Sequence, residues 1–306
     1  MAQKTKYLNR LGISEIVQSR KEVPSDYFCD CELCNPEKFM GEIFHNDSGK
    51  YYSNNIRKGY YLNKAGDHLD VGQMIGYRWA IQNLCPENGW VFDPTVGSGT
   101  AIIEAINNKR NGVGIELEYP EIARKSIDFQ ESEMSSILIP GDARNTAELL
   151  KGKGFEEGSL DLIINGTPYP SNGSLSSDAP QRQKMGDPSD KGRTFNYNHE
   201  RNMGLTSGEE WRNLIRDMYT QSIQFLKPGG RFVIIVKDLI RNKKPYNLHK
   251  EIIDLVREDN FDVEYEGFFL HKHIPTTMFI NTYGKRFPEV KVPLYQTGIV
   301  LKKIEL

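Results

Sequence analysis

Two short stretches carry residue types that could do chemistry. One is Val91-Phe92-Asp93-Pro94-Thr95-Val96-Gly97-Ser98-Gly99-Thr100, and the other, about seventy residues later, is Ile164-Asn165-Gly166-Thr167-Pro168-Tyr169-Pro170. In the first, an apolar strand ends at Asp93, a glycine-rich turn follows, and the apolar run Ala101 to Ile106 resumes the chain as a helix. That is the opening of a βαβ unit, and its glycines let a ligand approach the backbone closely. The loop has neither the G-x-G-x-x-G spacing of a dinucleotide site nor the Gly-Lys-Ser/Thr of a triphosphate loop, so it supports neither reading. A third stretch, Cys29-Asp30-Cys31-Glu32-Leu33-Cys34, has the thiol spacing of a metal site. A tetrahedral structural zinc would need a fourth ligand there, for which His45, His68 or Cys85 could serve after folding. Without a second C-x-x-C half, three reduced thiols in a loop are the equal alternative.

The surrounding pattern must position these residues. Val113 to Ile115 is a short apolar run delivering Glu116, and Tyr119 to Glu131 is a helix with Pro120 in its first turn. Ser136 to Ile139 is a strand leading to Gly141-Asp142, Asn145 to Lys151 a short helix, and Leu160 to Ile164 a strand delivering Asn165. Ser207 to Leu226 repeats Trp211, Leu214, Ile215, Met218 and Ile223 at helical spacing and stops at Lys227-Pro228-Gly229-Gly230. Arg231 to Asp238 is a buried strand that Asp238 terminates, Leu248 to Glu258 a helix, and Phe261 to Leu270 and Thr297 to Ile304 the last strands. Such alternation predicts an α/β, doubly wound, mainly parallel sheet with ligands outside the carboxyl ends of its strands.

At 306 residues and 38% hydrophobic content the chain can bury a large core. Lys+Arg 39 against Asp+Glu 41 leaves no net field, so any nucleic-acid footprint must come from local patches. No apolar run approaches the roughly twenty residues of a membrane span, and Met1 to Gly12 has no signal-peptide centre. A cytoplasmic protein without membrane contact is expected.

D-P-x-x-G-S-G-T at Asp93 resembles the cofactor motif of the S-adenosylmethionine-dependent DNA methyltransferases that modify exocyclic amino groups, adenine N6 or cytosine N4. Asn165 to Tyr169 resembles their catalytic (D/N/S)-P-P-(Y/F/W) tetrapeptide. The resemblance runs from about Lys64 to Lys303 and implies a Rossmann-like seven-stranded sheet whose last strand enters antiparallel. Residues 1–62 would then be an N-terminal extension holding the cysteines, and 63–306 a methyltransferase domain with a long 170–206 insertion.

By the same resemblance, Asp93, Pro94, Thr95, Gly97, Ser98, Gly99 and Thr100 hold S-adenosylmethionine. Glu116 with Leu117 meets its ribose hydroxyls, Asp142 with Ala143 its adenine, and Asn165 borders it. Asn165, Gly166, Thr167, Pro168 and Tyr169 would form the catalytic segment, with Tyr169 stacking on a base drawn out of double-stranded DNA. The setting implied is DNA methylation of the restriction-modification kind.

This chain departs from that pattern in having Thr167 where proline is usual and Gly166 where the side-chain acceptor belongs. Asn165 could supply the acceptor, backbone carbonyls could suffice, or the chain could bind cofactor and DNA without turnover. The alternatives to DNA methylation are therefore an RNA amino-methyltransferase and a non-catalytic binding subunit. DNA contact falls to the basic and aromatic residues of 170–206, Lys50 to Lys64, and His271 to Lys291. Target base, recognition sequence and oligomeric state stay open.

Overall fold

The structure is a computed structural model that describes residues 16–20, 22–25, 27, 29, 31–45, 74–130, 132–170, 201–241, 244–258, 262–272 and 295–304. Its strands are β1 (Ile16–Arg20), β2 (Phe39–His45), β3 (Trp90–Asp93), β4 (Asn111–Glu116), β5 (Ser136–Pro140), β6 (Leu160–Asn165), β7 (Leu226–Lys237), β8 (Leu239–Arg241), β9 (Lys244–Tyr246), β10 (Val263–Lys272) and β11 (Tyr295–Lys303). The α-helices are α1 (Met74–Leu84), α2 (Thr100–Asn107), α3 (Pro120–Asp128), α4 (Thr146–Lys151), α5 (Gly208–Gln224) and α6 (Leu248–Glu258).

Among the described residues, nine strands form one sheet in the order β1-β2-β10-β11-β7-β6-β3-β4-β5. The five from β5 to β7 run parallel, and β11 is antiparallel to both β7 and β10. That order, with its late antiparallel strand, is the Rossmann-like methyltransferase fold. The expected seven strands are present. The sheet continues beyond them because β2 pairs parallel with β10, and β1 antiparallel with β2. The N-terminal extension thus adds two strands to the sheet.

Parallel strands buried on both faces need apolar residues in both phases of the pleat. Phe92, Ile163, Phe232 and Ile234 face a core with Trp211, Ile215 and Met218 of α5 and Ile252 of α6. Val91, Leu162, Ile164 and Val233, one residue out of phase, pack with Ile75 and Ile81 of α1 and Ala101 of α2. The helical spacing read along α5 meets this core as expected, with Leu214 only partly buried. β7 begins earlier than expected, at Leu226, because Leu226 pairs with Leu160 and the Pro-Gly-Gly turn is accommodated by a register shift. Among the described residues, no helix is long and apolar enough to cross a membrane.

Candidate functional site

The glycine loop is fixed from two sides. Gly99 caps α2 in the left-handed region at φ 96°, where a side chain would be strained. Gly114 lets β4 run against the loop, since a Cβ there would stand 2.7 Å from the Asp93 carbonyl oxygen. The Val96 N–H donates to the Ile115 carbonyl at 2.9 Å, and the Gly97 N–H to Glu116 Oε2 at 2.8 Å.

Glu116 lies at the carboxyl end of β4, as the apolar run before it implied. Its Oε1 accepts from the N–H groups of Glu118 and Tyr119 at 2.9 and 3.0 Å. Each carboxylate oxygen can take a further donor. Beside it, Glu118 Oε1 accepts from Asn202 Nδ2 at 2.7 Å. Glu118 Oε2 is shielded from solvent and has no hydrogen-bond partner among the described residues. A buried carboxylate oxygen in that state is a place for a donor that arrives with a ligand. Vicinal hydroxyls would fit this acidic pair.

Asp142 stands two residues past the end of β5 and caps the short turn Ala143–Asn145 through the Arg144 N–H at 3.0 Å. The Arg144 guanidinium also grips its carboxylate. Burial works against the charge, but the hydrogen bonds from Arg144 outweigh it and hold the carboxyl below its ordinary pKa. An incoming amino group would share Asp142 with Arg144 or displace it.

Asn165 ends β6 fully buried. Its Nδ2 donates to Asp93 Oδ1 at 2.9 Å and to Thr95 Oγ1 at 2.7 Å, and its Oδ1 accepts from the Tyr219 hydroxyl at 3.0 Å. Both amide hydrogens are thus committed to the glycine loop. Burial pushes the Asp93 carboxyl up to about 7, against the opposing hydrogen bonds from Thr95 and Asn165.

The rest of the segment is held by α5. Thr167 Oγ1 lies 2.5 Å from the Tyr219 hydroxyl, and Trp211 Nε1 donates to the Pro168 carbonyl at 3.0 Å. The threonine that replaces the usual proline is therefore a buried polar tie. Tyr169 is half-buried, and its hydroxyl accepts the Lys237 N–H at 2.9 Å.

Apart from its chain neighbours, a side chain begun at Gly166 would meet only Tyr77 within 4 Å among the described residues. A Cβ built there would come within 2.6 Å of the Tyr77 hydroxyl, with the next nearest atom the Tyr77 Cζ at 3.8 Å. Tyr77 is a buried residue of α1, a helix the sequence reading missed. Arg78 anchors that helix to α2, its Nε 2.6 Å from Oε2 of the fully buried Glu104 and its Nη2 3.1 Å from Oε1. Lys237, also unforeseen, lies beside Tyr169 at the end of β7, where burial lowers its ammonium to about 8. A lysine closing the apolar run Phe232 to Val236 was the available signal.

The three cysteines do converge, but their fourth partner is none of the residues the sequence offered. It is His249, in the first turn of α6. Cys85 follows α1 and packs in a different core cluster, its carbonyl accepting from Arg110 at 2.6 Å, and burial pushes its thiol up to about 12. His45 closes β2, and His68 lies outside the described residues. Asp238, read as a strand terminator, accepts from His249 Nδ1 at 2.7 Å.

Of the three stretches expected to meet DNA, Lys50 to Lys64 lies wholly outside the described residues, as do 171–200 of the stretch 170–206 and 273–291 of the third. His271, which opens the third stretch, is among the described residues. It is buried in β10, where burial lowers its pKa to about 4.

No family model matches the chain, and no curated protein does. Solved structures do. A methyltransferase from Pyrococcus furiosus is 13% identical, with 79% of this chain and 87% of that one covered and a TM-score of 0.44. TYW2 from P. horikoshii, solved with MeSAdo, is 12% identical, with 86% and 68% covered and a TM-score of 0.41. TrmN from Thermus thermophilus is 16% identical with a TM-score of 0.41, and 74% of this chain spans about half, 48%, of that one.

Proposed function

We propose that the chain is an S-adenosylmethionine-dependent methyltransferase that modifies an exocyclic amino group of a base drawn out of double-stranded DNA. The observation that carries the reading is the joining of two sequence motifs by the Asn165 amide, which donates to Asp93 and Thr95 of the glycine loop. Binding and transfer would then share one rigid wall. The loop Asp93 to Thr100, Glu116, Glu118 and Asp142 would hold the cofactor, which supplies a methyl already activated on a sulfonium, so that alignment and water exclusion are what the protein must add.

The chain's own residues supply that alignment. Tyr169, tethered at its hydroxyl by the Lys237 N–H, offers a fixed ring on which a base can stack. An aromatic amine is a poor nucleophile because its lone pair is delocalised, and acceptors at its hydrogens counter this. Gly166 brings no side chain, and Asn165 directs its amide inward. The acceptors are then backbone carbonyls of this segment and the Tyr77 hydroxyl, which stands where a side chain at 166 would begin. The zinc proposed on the cysteines is structural and takes no part in transfer.

The RNA amino-methyltransferase reading uses the same wall and differs only in the acceptor. Transfer of tritiated methyl from the cofactor to duplex DNA, to structured RNA and to a no-acceptor control separates them. Incorporation into DNA alone is expected. Incorporation into RNA alone would move the substrate, and cofactor binding with none into either would leave a binding subunit.

A further inference from the structure

We propose that Cys29, Cys31, Cys34 and His249 form a closed, four-coordinate site for one zinc-class divalent cation, and that this site clamps the N-terminal extension to the end of β7 that anchors Tyr169. The metal part of the inference stands apart from the proposed substrate.

His249 Nε2 lies 3.2 Å from Cys29 Sγ and 3.3 Å from both Cys31 Sγ and Cys34 Sγ. The sulfurs of Cys29 and Cys31 are 3.1 Å apart, and those of Cys31 and Cys34 3.5 Å. Ordinary hydrogen bonding does not account for this convergence. One ring nitrogen has a single hydrogen or a single lone pair, and cannot serve three sulfurs. The Asp238 carboxylate, 2.7 Å from Nδ1, accepts that nitrogen's hydrogen, and in the neutral ring Nε2 then points its lone pair at the thiols. Four lone-pair donors facing a common centre call for a cation.

The chemistry of the donors selects its class. Three sulfurs and an imidazole suit zinc and its borderline-soft neighbours, whereas calcium and magnesium take oxygens. A tetrahedral zinc at about 2.3 Å from sulfur and about 2.0 Å from nitrogen would set its ligand atoms roughly 3.5 to 3.8 Å apart. The distances given above are within a few tenths of an ångström of these values, and all four ligand atoms lie within 4.8 Å of one another, so one ion can reach all four. With every position filled by protein, the ion is structural.

Its location gives it a task. The Cys31–Cys34 turn is packed beside Phe268 and Leu270 of β10, and Tyr265 donates its hydroxyl to the Leu33 carbonyl. His249 sits at the start of α6, and Asp238 directly follows Lys237, whose N–H holds the Tyr169 hydroxyl. The cation therefore joins an early segment, a late helix and the end of the strand against which the stacking ring is fixed.

Protein purified without chelator should contain about one zinc per chain by elemental analysis. His249→Ala and Cys31→Ser should lose it, and Cys85→Ser should keep it. Asp238→Asn should weaken binding of zinc alone by about 10- to 100-fold. Cobalt(II) exchanged into the wild type should show the intense visible bands of a tetrahedral thiolate site, which tests the coordination even if a variant fails to fold. A metal-free wild type that also gives no cobalt bands would overturn the site. His249→Ala binding zinc as tightly as the wild type would overturn its fourth ligand. Amide exchange tests the clamp separately: chelation should speed exchange at 31–39, 237–239 and 248–250 and leave 93–100 unchanged. Unaltered exchange at 237–239 would retain the metal and refute the link to Tyr169.

Discussion

Asn165 and Asp93, seventy-two positions apart, are joined by a 2.9 Å hydrogen bond from the Asn165 amide to the Asp93 carboxylate inside the sheet's carboxyl edge. Asn165→Ala would leave a buried carboxylate with one donor fewer and the Tyr219 hydroxyl with one acceptor fewer. We expect a loss of about 1 to 3 kcal/mol in urea unfolding, together with weaker cofactor binding by calorimetry. Full stability in Asn165→Ala, with only turnover reduced, would make Asn165 a substrate contact instead.

The same burial makes Asp93 a source of pH dependence. Its carboxyl titrates near 7 in the folded protein and near 3.8 in the unfolded chain. Between those values the native state holds more protons, so stability falls as pH rises from about 4 to about 7 and levels off above. Asp93→Asn removes this dependence. The stability difference between variant and wild type should therefore grow in the variant's favour by roughly 4 kcal/mol across that window. A constant difference from pH 4 to 8 would show that Asp93 titrates as an ordinary carboxyl.

Gly166 and Tyr77 should behave as one unit. Gly166→Ser alone must displace the Tyr77 hydroxyl and should cost about 1 to 3 kcal/mol of stability. In the Tyr77→Phe background the nearest atom is the ring carbon at 3.8 Å, an ordinary contact, and the cost should nearly vanish. There the added hydroxyl should also raise methyl transfer roughly tenfold, about 1.4 kcal/mol, relative to Tyr77→Phe alone. Additive stability effects in this cycle would argue against the contact.

Glu116→Ala removes the acceptor of three backbone N–H groups as well as the expected partner of the ribose. Cofactor affinity should fall by about 1 to 3 kcal/mol, and Glu116→Gln, which keeps one oxygen, should fall less. Calorimetry showing no cofactor binding by the intact protein would remove the methyltransferase reading altogether.

Tyr169→Phe keeps the ring and loses only its tether, whereas Tyr169→Ala loses the stacking surface. Binding of duplexes carrying 2-aminopurine at the target position should drop by about 1 to 3 kcal/mol for Tyr169→Ala and much less for Tyr169→Phe, read by the fluorescence of the extruded base. Equal losses would mean that the tyrosine only packs.

The sequence by itself determined the alternation of strands and helices from Trp90 to Glu258, because parallel strands buried on both faces and amphipathic helices leave period-specific apolar patterns. It also brought Asp93, Glu116, Asp142 and Asn165 to one edge, since each ends an apolar run or follows one within a few residues. The helix of Tyr77, whose hydrophobic face is interrupted by Gly76 and Arg78, left a weaker pattern. Only the tertiary structure decided which groups meet. His249 completes the cysteine cluster from more than two hundred positions away, with a separation of 215 from Cys34, and no local spacing encodes that. The Tyr77 hydroxyl at Gly166 and the inward turn of the Asn165 amide are likewise set by how helices seat on the sheet. Side-chain direction there follows from packing and from the need of buried polar groups for partners, neither of which is written along the chain.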